Sequence, residues 1–456
     1  MIHCMDDSRM GINERNPMTN QHSLLPSLTR SFTLLVFAIA LTNHGECQTG
    51  GRVLESRLRE LDKNSDGVLS ETEFGRSQSV FKSIDKDLDE RLTLTEIRSF
   101  LQSGGKIGPQ ISPTVRPVEK VGAFDESMPV NLASCRAAAR YSASSNGHAV
   151  LVMIDGETVY ETYNNGWGRE QPHRLASGTK SFAGVAAAIA ADEGLLNFDE
   201  PVSETITEWR EDPRLSRVTI GQLLTLTSGI DPGENSVVLP YSEVIDVKSK
   251  HKPGTKFEYG PNPFQIFGAL MNRKLASANL SDDYLSFLRS RVFDPIGMKV
   301  GIWRRTNSGD PHVPSGAFIT AAEWAKFGKL LCDSGRWNDQ QIIQETLLKQ
   351  LTEGTKANPA YGTTFWLGVQ GGVDAGTDAA GRTTSPDVKR VPFRDLFMAA
   401  GAGKQRLYVI PSLRLVAVRF GETKGRRFRD DEFLKRLIAV PRPDRAIEDS
   451  VNPTER

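Results

Sequence analysis

The sequence predicts an α+β fold: an antiparallel sheet flanked by helices, with a helical insert, preceded by a small α-helical module. Three observations carry this. The runs His148 to Ile154 and Thr158 to Tyr163, joined through Asp155-Gly156, read as a hairpin with a tight turn. Near the other end, Gln405 to Ile410 and Leu413 to Phe420, separated by Pro411-Ser412, read as a second hairpin. Between them the apolar spacing is helical, as over Ser177 to Gly194 and Ala321 to Gly335, and it is helical again over Asp430 to Ile438. Strands at both ends of a helix-dominated stretch imply one antiparallel sheet covered by helices.

Composition limits the function classes. The 456 residues carry 56 Lys+Arg against 56 Asp+Glu, with 38% hydrophobic and 25% charged residues. Such a chain suits a soluble globular protein of about two or three domains. Its balanced charge provides no field to gather nucleic acid. The cysteines Cys4, Cys47, Cys135 and Cys332 lack CxxC or zinc-ribbon spacing, so structural zinc and thiol redox chemistry have no support. The histidines His148, His173, His251 and His312 form no HxxxH or HxH pair, and no GxSxG elbow occurs.

At the N-terminus, the apolar run Ser31 to Leu41 follows Arg30. It is too short to span a bilayer and fits the apolar core of a signal peptide, with cleavage near Cys47. Residues 1–47 are therefore expected to be a signal peptide, the protein to be exported to the periplasm or the extracellular space, and no stable membrane span to remain. Cys135 and Cys332 then persist, either as one disulfide or as two buried thiols.

Residues 50–103 form the small module. The stretch 62–73, DKNSDGVLSETE, places Asp62, Asn64 and Asp66 at alternate positions, Gly67 at the turn and Glu73 at the end. A hard cation needs a cage of oxygens. Three alternating side chains, the carbonyl of Val68, a water held by Ser70 and a bidentate Glu73 supply it, which is the calcium loop of an EF-hand. The stretch 85–96 repeats the pattern with Asp85, Asp87, Asp89, the carbonyl of Arg91 and Glu96. There Glu90 stands where the turn favours Gly, so this second site is expected to bind more weakly. Leu69 and Leu92 should pair the two loops across a two-stranded bridge. Structural Ca2+ is the one cofactor expected. Residues 104–128, rich in Gly and Pro, read as a linker to a domain over 129–441, and 442–456 as a polar tail.

The chemistry begins at LASGTK, Leu175 to Lys180. Ser177 and Lys180 at i and i+3 share one helix face. A helix N-terminus favours a developing oxyanion, and a Lys neutralised by burial can accept the serine proton. Around this pair stand the apolar helix SFAGVAAAIAADEG, then TIGQLLTLTSGI (Thr219 to Ile230), PGTKFEYG (Pro253 to Gly260), DPIGM (Asp294 to Met298) and GAFITAAEWAKFG (Gly316 to Gly328).

In order and spacing these motifs resemble the serine β-lactamase and penicillin-binding-protein superfamily, in particular its class C-like esterase and amide-hydrolase branch, over about residues 130–440. The resemblance implies a β-lactamase/transpeptidase-like fold and acyl transfer to a small-molecule ester or amide. Ser177 would be the nucleophile, Lys180 its activator and Tyr259 a second general base. The N–H groups of Ser177 and of a residue near Ala402 would form the oxyanion hole. Two departures stand out. Pro261 occupies the usual Asn position of the Y-x-N motif, leaving Asn262 to serve through a shifted turn. The third motif reads Ala399-Ala400-Gly401, which keeps the glycine for close approach but cannot bind charge unless Lys404 or Arg406 compensates. A secreted serine hydrolase is the leading reading. A cell-wall DD-peptidase or β-lactamase is the enzymatic alternative, and a calcium-dependent binding protein with a decayed active site is the non-enzymatic one.

Overall fold

The computed structural model describes residues 62, 67–74, 81, 84, 85, 89, 91–102, 117–120, 129–280, 283–368, 393–422 and 428–438. The segment read as a signal peptide, the polar tail, Asn64, Asp66, Asp87 and Glu90 lie outside them. Among the described residues no helix is long and apolar enough to cross a membrane. The chain divides into two units, Met1–Gly108 and Pro109–Arg456.

In the first unit β1, Val68–Ser70, pairs antiparallel with β2, Arg91–Thr93, and Leu69 lies opposite Leu92, the pairing expected from the loop spacing. Helix α1, Glu71–Phe74, follows β1, and α2, Leu94–Gln102, follows β2. The two leucines bury against Phe74, Phe81, Ile84 and Ile97, a small core that the bridge closes on one side.

The second unit begins inside the stretch read as a linker. There β3, Val118–Glu119, pairs with residues 160–161, and Glu119 bonds Arg136. A short edge strand with one exposed face has no apolar alternation to betray it. Helix α3, Leu132–Ser144, starts at a capping box in which Asn131 and Ser134 satisfy each other's backbone. Then come β4, Gly147–Ile154, and β5, Glu157–Tyr163, the predicted hairpin. Asp155 and Gly156 both lie at positive φ, 51° and 77°, the twist that a two-residue hairpin requires.

The insert follows: β6, His173–Arg174; α4, Lys180–Asp192; α5, Ile220–Leu224; α6, Tyr241–Val244; α7, Asn262–Ser277; α8, Tyr284–Leu288; β7, Ile302–Trp303; and β8, Ala317–Ile319. Helix α9, Ala321–Cys332, ends before Gly335 because Ser334 and Gly335 turn left-handed. Strands β9, Arg336–Trp337, and β10, Gln340–Gln341, form a minor hairpin, and α10, Glu345–Leu351, leads to β11, Trp366–Leu367. The chain closes with β12, Phe397–Gly401; β13, Gln405–Ile410; β14, Leu415–Gly421; and α11, Asp430–Leu437. A 3-10 turn over Pro411–Leu413 and left-handed Arg414 delay the last strand by two residues relative to the predicted start.

The main sheet is antiparallel throughout, in the order β11-β12-β13-β14-β4-β5-β3, so the two terminal hairpins meet at β14 and β4. Helix α9 covers one face: Gly328 lets it approach Leu407 and Val416. Helices α3 and α11 cover the other, where Tyr408 stacks on Phe433. A second sheet, β6-β8-β7, supports the strand that runs into Ser177. Cys135 and Cys332 carry free thiols, so the disulfide alternative is not realised.

Candidate active site

Ser177 does not open an α-helix, as its spacing to Lys180 suggested. It sits in a 3-10 turn, Ala176–Thr179, with Lys180 as the first residue of α4. Residues i and i+3 eclipse in a 3-10 turn, so the two side chains still stack. The turn is held from several sides. Leu175 N–H donates to Ala317 O at 3.0 Å, Gly178 N–H to Leu175 O at 3.0 Å, and Thr179 Oγ1 to Ala176 O at 2.7 Å. These contacts sustain Ala176 at φ 48°, a left-handed conformation costly for a residue with a Cβ.

Lys180 Nζ donates to Ser177 Oγ at 3.2 Å and to the Pro314 carbonyl at 3.2 Å. It lies 5.0 Å from the ring centroid of Tyr259 and 5.3 Å from that of Phe264. The ammonium is buried, and loss of hydration pushes its pKa down from 10.5 to about 7. Burial raises the Tyr259 phenol to about 12, against the opposing pull of the neighbouring Ser177 hydroxyl and of Arg406. At neutral pH the site therefore holds a substantially neutral amine and a protonated phenol beside Ser177. The amine can take a proton from Ser177, and the phenol can give one away.

Tyr259 is fixed by an aromatic wall. Trp366 stacks on it at 5.7 Å between centroids, and Tyr361 meets it edge-on at 6.3 Å. Neither the wall nor the Pro314 carbonyl has a signature in the sequence, since any residue supplies a carbonyl and isolated aromatics read as core.

Gly401 packs directly on the turn that carries Ser177: a Cβ there would stand 1.9 Å from Leu175 O and 3.0 Å from Gly178 N. The third-motif glycine is thus required by space. Ala402 follows at the head of the β12–β13 turn. Asn262 is placed differently from the expectation: its side-chain amide donates to Asp231 O at 3.1 Å and its oxygen crowds Gly233, so it braces the 231–233 loop. Pro261 is the N-cap of α7 and fixes this offset. The suggested compensation at Ala399 is not found either. Arg406 pairs across from Ala400 and bonds Asp430, and Lys404 Nζ lies 4.0 Å from the same carboxylate, so both cations turn toward α11.

In the first unit, Asp62 accepts from Gly67 N–H at 2.9 Å and Glu73 from Ser70 N–H at 3.0 Å, with Gly67 at φ 84°. In the second loop Glu96 accepts from Thr93 N–H at 2.9 Å, as Glu73 does from Ser70; Asp89 accepts from Arg91 N–H at 2.8 Å, and Asp85 is buried. The carbonyls of Val68 and Arg91 lie in the paired strands.

A family model described as "Beta-lactamase" matches residues 133–440. Protein flp of Staphylococcus aureus (strain MW2) is 25% identical over 189 residues, covering 36% of this chain and 36% of that protein, so the match spans about a third of the relative's length. A penicillin-binding-protein homologue from Caulobacter crescentus superposes with a TM-score of 0.52 at 16% identity, over 67% of this chain and 96% of that one. A β-lactamase/D-alanine carboxypeptidase from Pseudomonas syringae gives 0.50 at 15% identity, over 68% and 99%. At these identities the structural matches speak for the fold alone.

Proposed function

Because the chain belongs to the beta-lactamase family, we propose that it is an exported serine hydrolase that cleaves short acyl esters through a Ser177 acyl-enzyme. One observation carries this reading: a buried Lys180 with a lowered pKa lies 3.2 Å from Ser177 Oγ. Neutral Lys180 accepts the Ser177 proton as Oγ attacks the carbonyl carbon. The N–H groups of Ser177 and Ala402 stabilise the oxyanion. Tyr259, protonated at rest, gives its proton to the departing alkoxide, so an alcohol leaves and Ser177 carries the acyl group. The resulting phenolate takes a proton from water, which attacks the ester. On collapse, Lys180 returns its proton to Ser177. Tyr259 thus acts as a base only in the second half of the cycle, which follows from its raised pKa.

The ester preference rests on the alanine at 399. β-Lactams and D-Ala-ended peptides present a carboxylate, and a charge-assisted hydrogen bond to it is worth about 1.5–3 kcal/mol. With Lys404 and Arg406 directed to Asp430, Ala399 offers no such bond. Fluorophosphonate labelling should map to Ser177 and vanish in Ser177→Ala. A nitrophenyl ester should show a higher kcat/KM than nitrocefin; the reverse order would replace this reading with a β-lactamase.

The apolar run from Ser31 to Leu41 supports export. Calcium at the first unit is supported by the donor set: Asp62, Glu73 and the Val68 carbonyl beside a left-handed Gly67 suit a hard cation. Added Ca2+ should raise the melting temperature of the full chain, and Glu73→Gln should weaken that response. A melting curve indifferent to Ca2+ and to EDTA would overturn the assignment.

A further inference from the structure

We infer that Arg406, locked by Asp430, is a positioning residue for the oxyanion hole: it orients and polarises the peptide that carries the Ala402 N–H. The inference rests on the Ser177 reading above.

Arg406 is buried on the face of the sheet covered by α11, and its guanidinium is used on every side. Nε donates to Asp430 Oδ1 at 2.5 Å and Nη2 to Asp430 Oδ2 at 3.2 Å. Nη1 donates to Gly401 O at 3.2 Å and to Gln405 O at 2.9 Å. Tyr408 Oη donates to the same carboxylate at 2.7 Å, which fixes the anion that fixes the cation. The carboxyl of Asp430 is held well below its usual range by Arg406, against the opposing effect of burial, so the pair remains ionised.

The Gly401 carbonyl and the Ala402 N–H belong to one peptide unit. In a planar trans peptide they point in opposite directions. Drawing the carbonyl toward Arg406 turns the N–H away from α11, to the side where the Ser177 turn packs against Gly401. A charged donor on the carbonyl also withdraws density from the amide, which strengthens its N–H as a donor where a negative oxygen develops. The rest of the turn is clamped in the same way. Gln405 Nε2 donates to Ala402 O at 3.0 Å, and Arg419 Nη1 donates to Gly403 O at 3.0 Å and Lys404 O at 2.9 Å. Five successive carbonyls, from Gly401 to Gln405, are thereby held by three buried side chains. The Arg406 contact is the one on the peptide that presents the oxyanion donor.

The test is the double variant Arg406→Gln/Asp430→Asn, which removes both charges together and leaves no uncompensated carboxylate. Hydrolysis of a nitrophenyl ester is compared with that of its thiono analogue, whose larger, weakly accepting sulfur gains little from an oxyanion hole. The expected result is a fall in kcat of about 10- to 100-fold with KM within about threefold. The preference for the oxygen ester over the thiono ester should fall by about tenfold. A structural defect alone would slow both substrates equally. If the double variant does not accumulate as folded protein, Arg406→Lys keeps a charge against Asp430 but cannot span to Gly401 O, and it carries the same readout. Asp431→Asn, which breaks the neighbouring pair with Arg429, should leave both substrates unaffected. A folded variant with wild-type kcat and an unchanged ester-to-thionoester ratio overturns the inference. Ser177→Ala is assayed alongside: activity that survives it refutes the serine mechanism itself, whereas activity lost there but intact in the Arg406 variants refutes only this proposal.

Discussion

The most direct consequence of the site is that acylation should titrate with Lys180. An exposed lysine with pKa 10.5 is neutral in only about 0.03% of molecules at pH 7. Burial brings Lys180 to about 7, so roughly half the molecules carry a free amine at that pH. The gain in reactive base is on the order of a thousandfold. Lowering this pKa from 10.5 to about 7 corresponds to about 5 kcal/mol taken from stability. Two measurements follow. In the first, kcat/KM for a nitrophenyl ester, which reports the free enzyme, should rise about tenfold from pH 6 to pH 8 and level off above it. Lys180→Arg keeps the charge but cannot release the proton, so it should lose at least about a thousandfold at pH 8. In the second, Lys180→Met should unfold at higher denaturant than wild type. A lowered folded pKa imposes its full penalty at and below pH 7 and none above 10.5, so the advantage of Met should be largest near pH 7 and shrink toward pH 10. A flat rate profile between pH 5.5 and 8, or Lys180→Arg with a tenth or more of wild-type activity, would refute the assignment of Lys180 as the base.

Two further expectations concern the supports of the site. Gly401→Ala drives a Cβ to 1.9 Å from a backbone carbonyl that cannot rotate away, so it should cost about 2–3 kcal/mol by denaturant titration and reduce kcat/KM by about 100-fold or more. On β4 and β6, His148 Nδ1 lies 3.0 Å from His173 Nε2 between Trp167 and Phe420, and burial lowers the two imidazoles to about 3 and about 4. Their folded pKa values lie below the unfolded value of about 6.5, so stability is complete above that pH and falls as pH drops toward 4, by about 1.4 kcal/mol per unit for each ring. His148→Gln should flatten this acid limb in melting curves recorded from pH 7 to 4.5; an unaltered slope would show that other groups carry it.

What was legible in the sequence was what depends on near neighbours. The i,i+3 spacing of Ser177 and Lys180 survives the replacement of α-helix by 3-10 turn because both stack residues three apart. Asp155-Gly156 specifies its hairpin because few pairs tolerate two positive φ angles, and the paired loop positions of Leu69 and Leu92 set the bridge between β1 and β2. Those signals are local, and local sterics decide them. The tertiary structure alone decided what depends on distant segments meeting. It buries Lys180 against Pro314, Tyr259 and Phe264, and only that desolvation makes it a base near neutral pH. It brings His148 beside His173, a pair that no spacing rule detects at 25 residues apart. It turns Lys404 and Arg406 toward Asp430 and away from Ala399, because alternation along β13 puts Arg406 on the α11 face while Gly401 abuts the Ser177 turn. Residue types define which proton transfers are chemically available; burial and strand register, which are properties of the packed chain, select the ones that this site can perform.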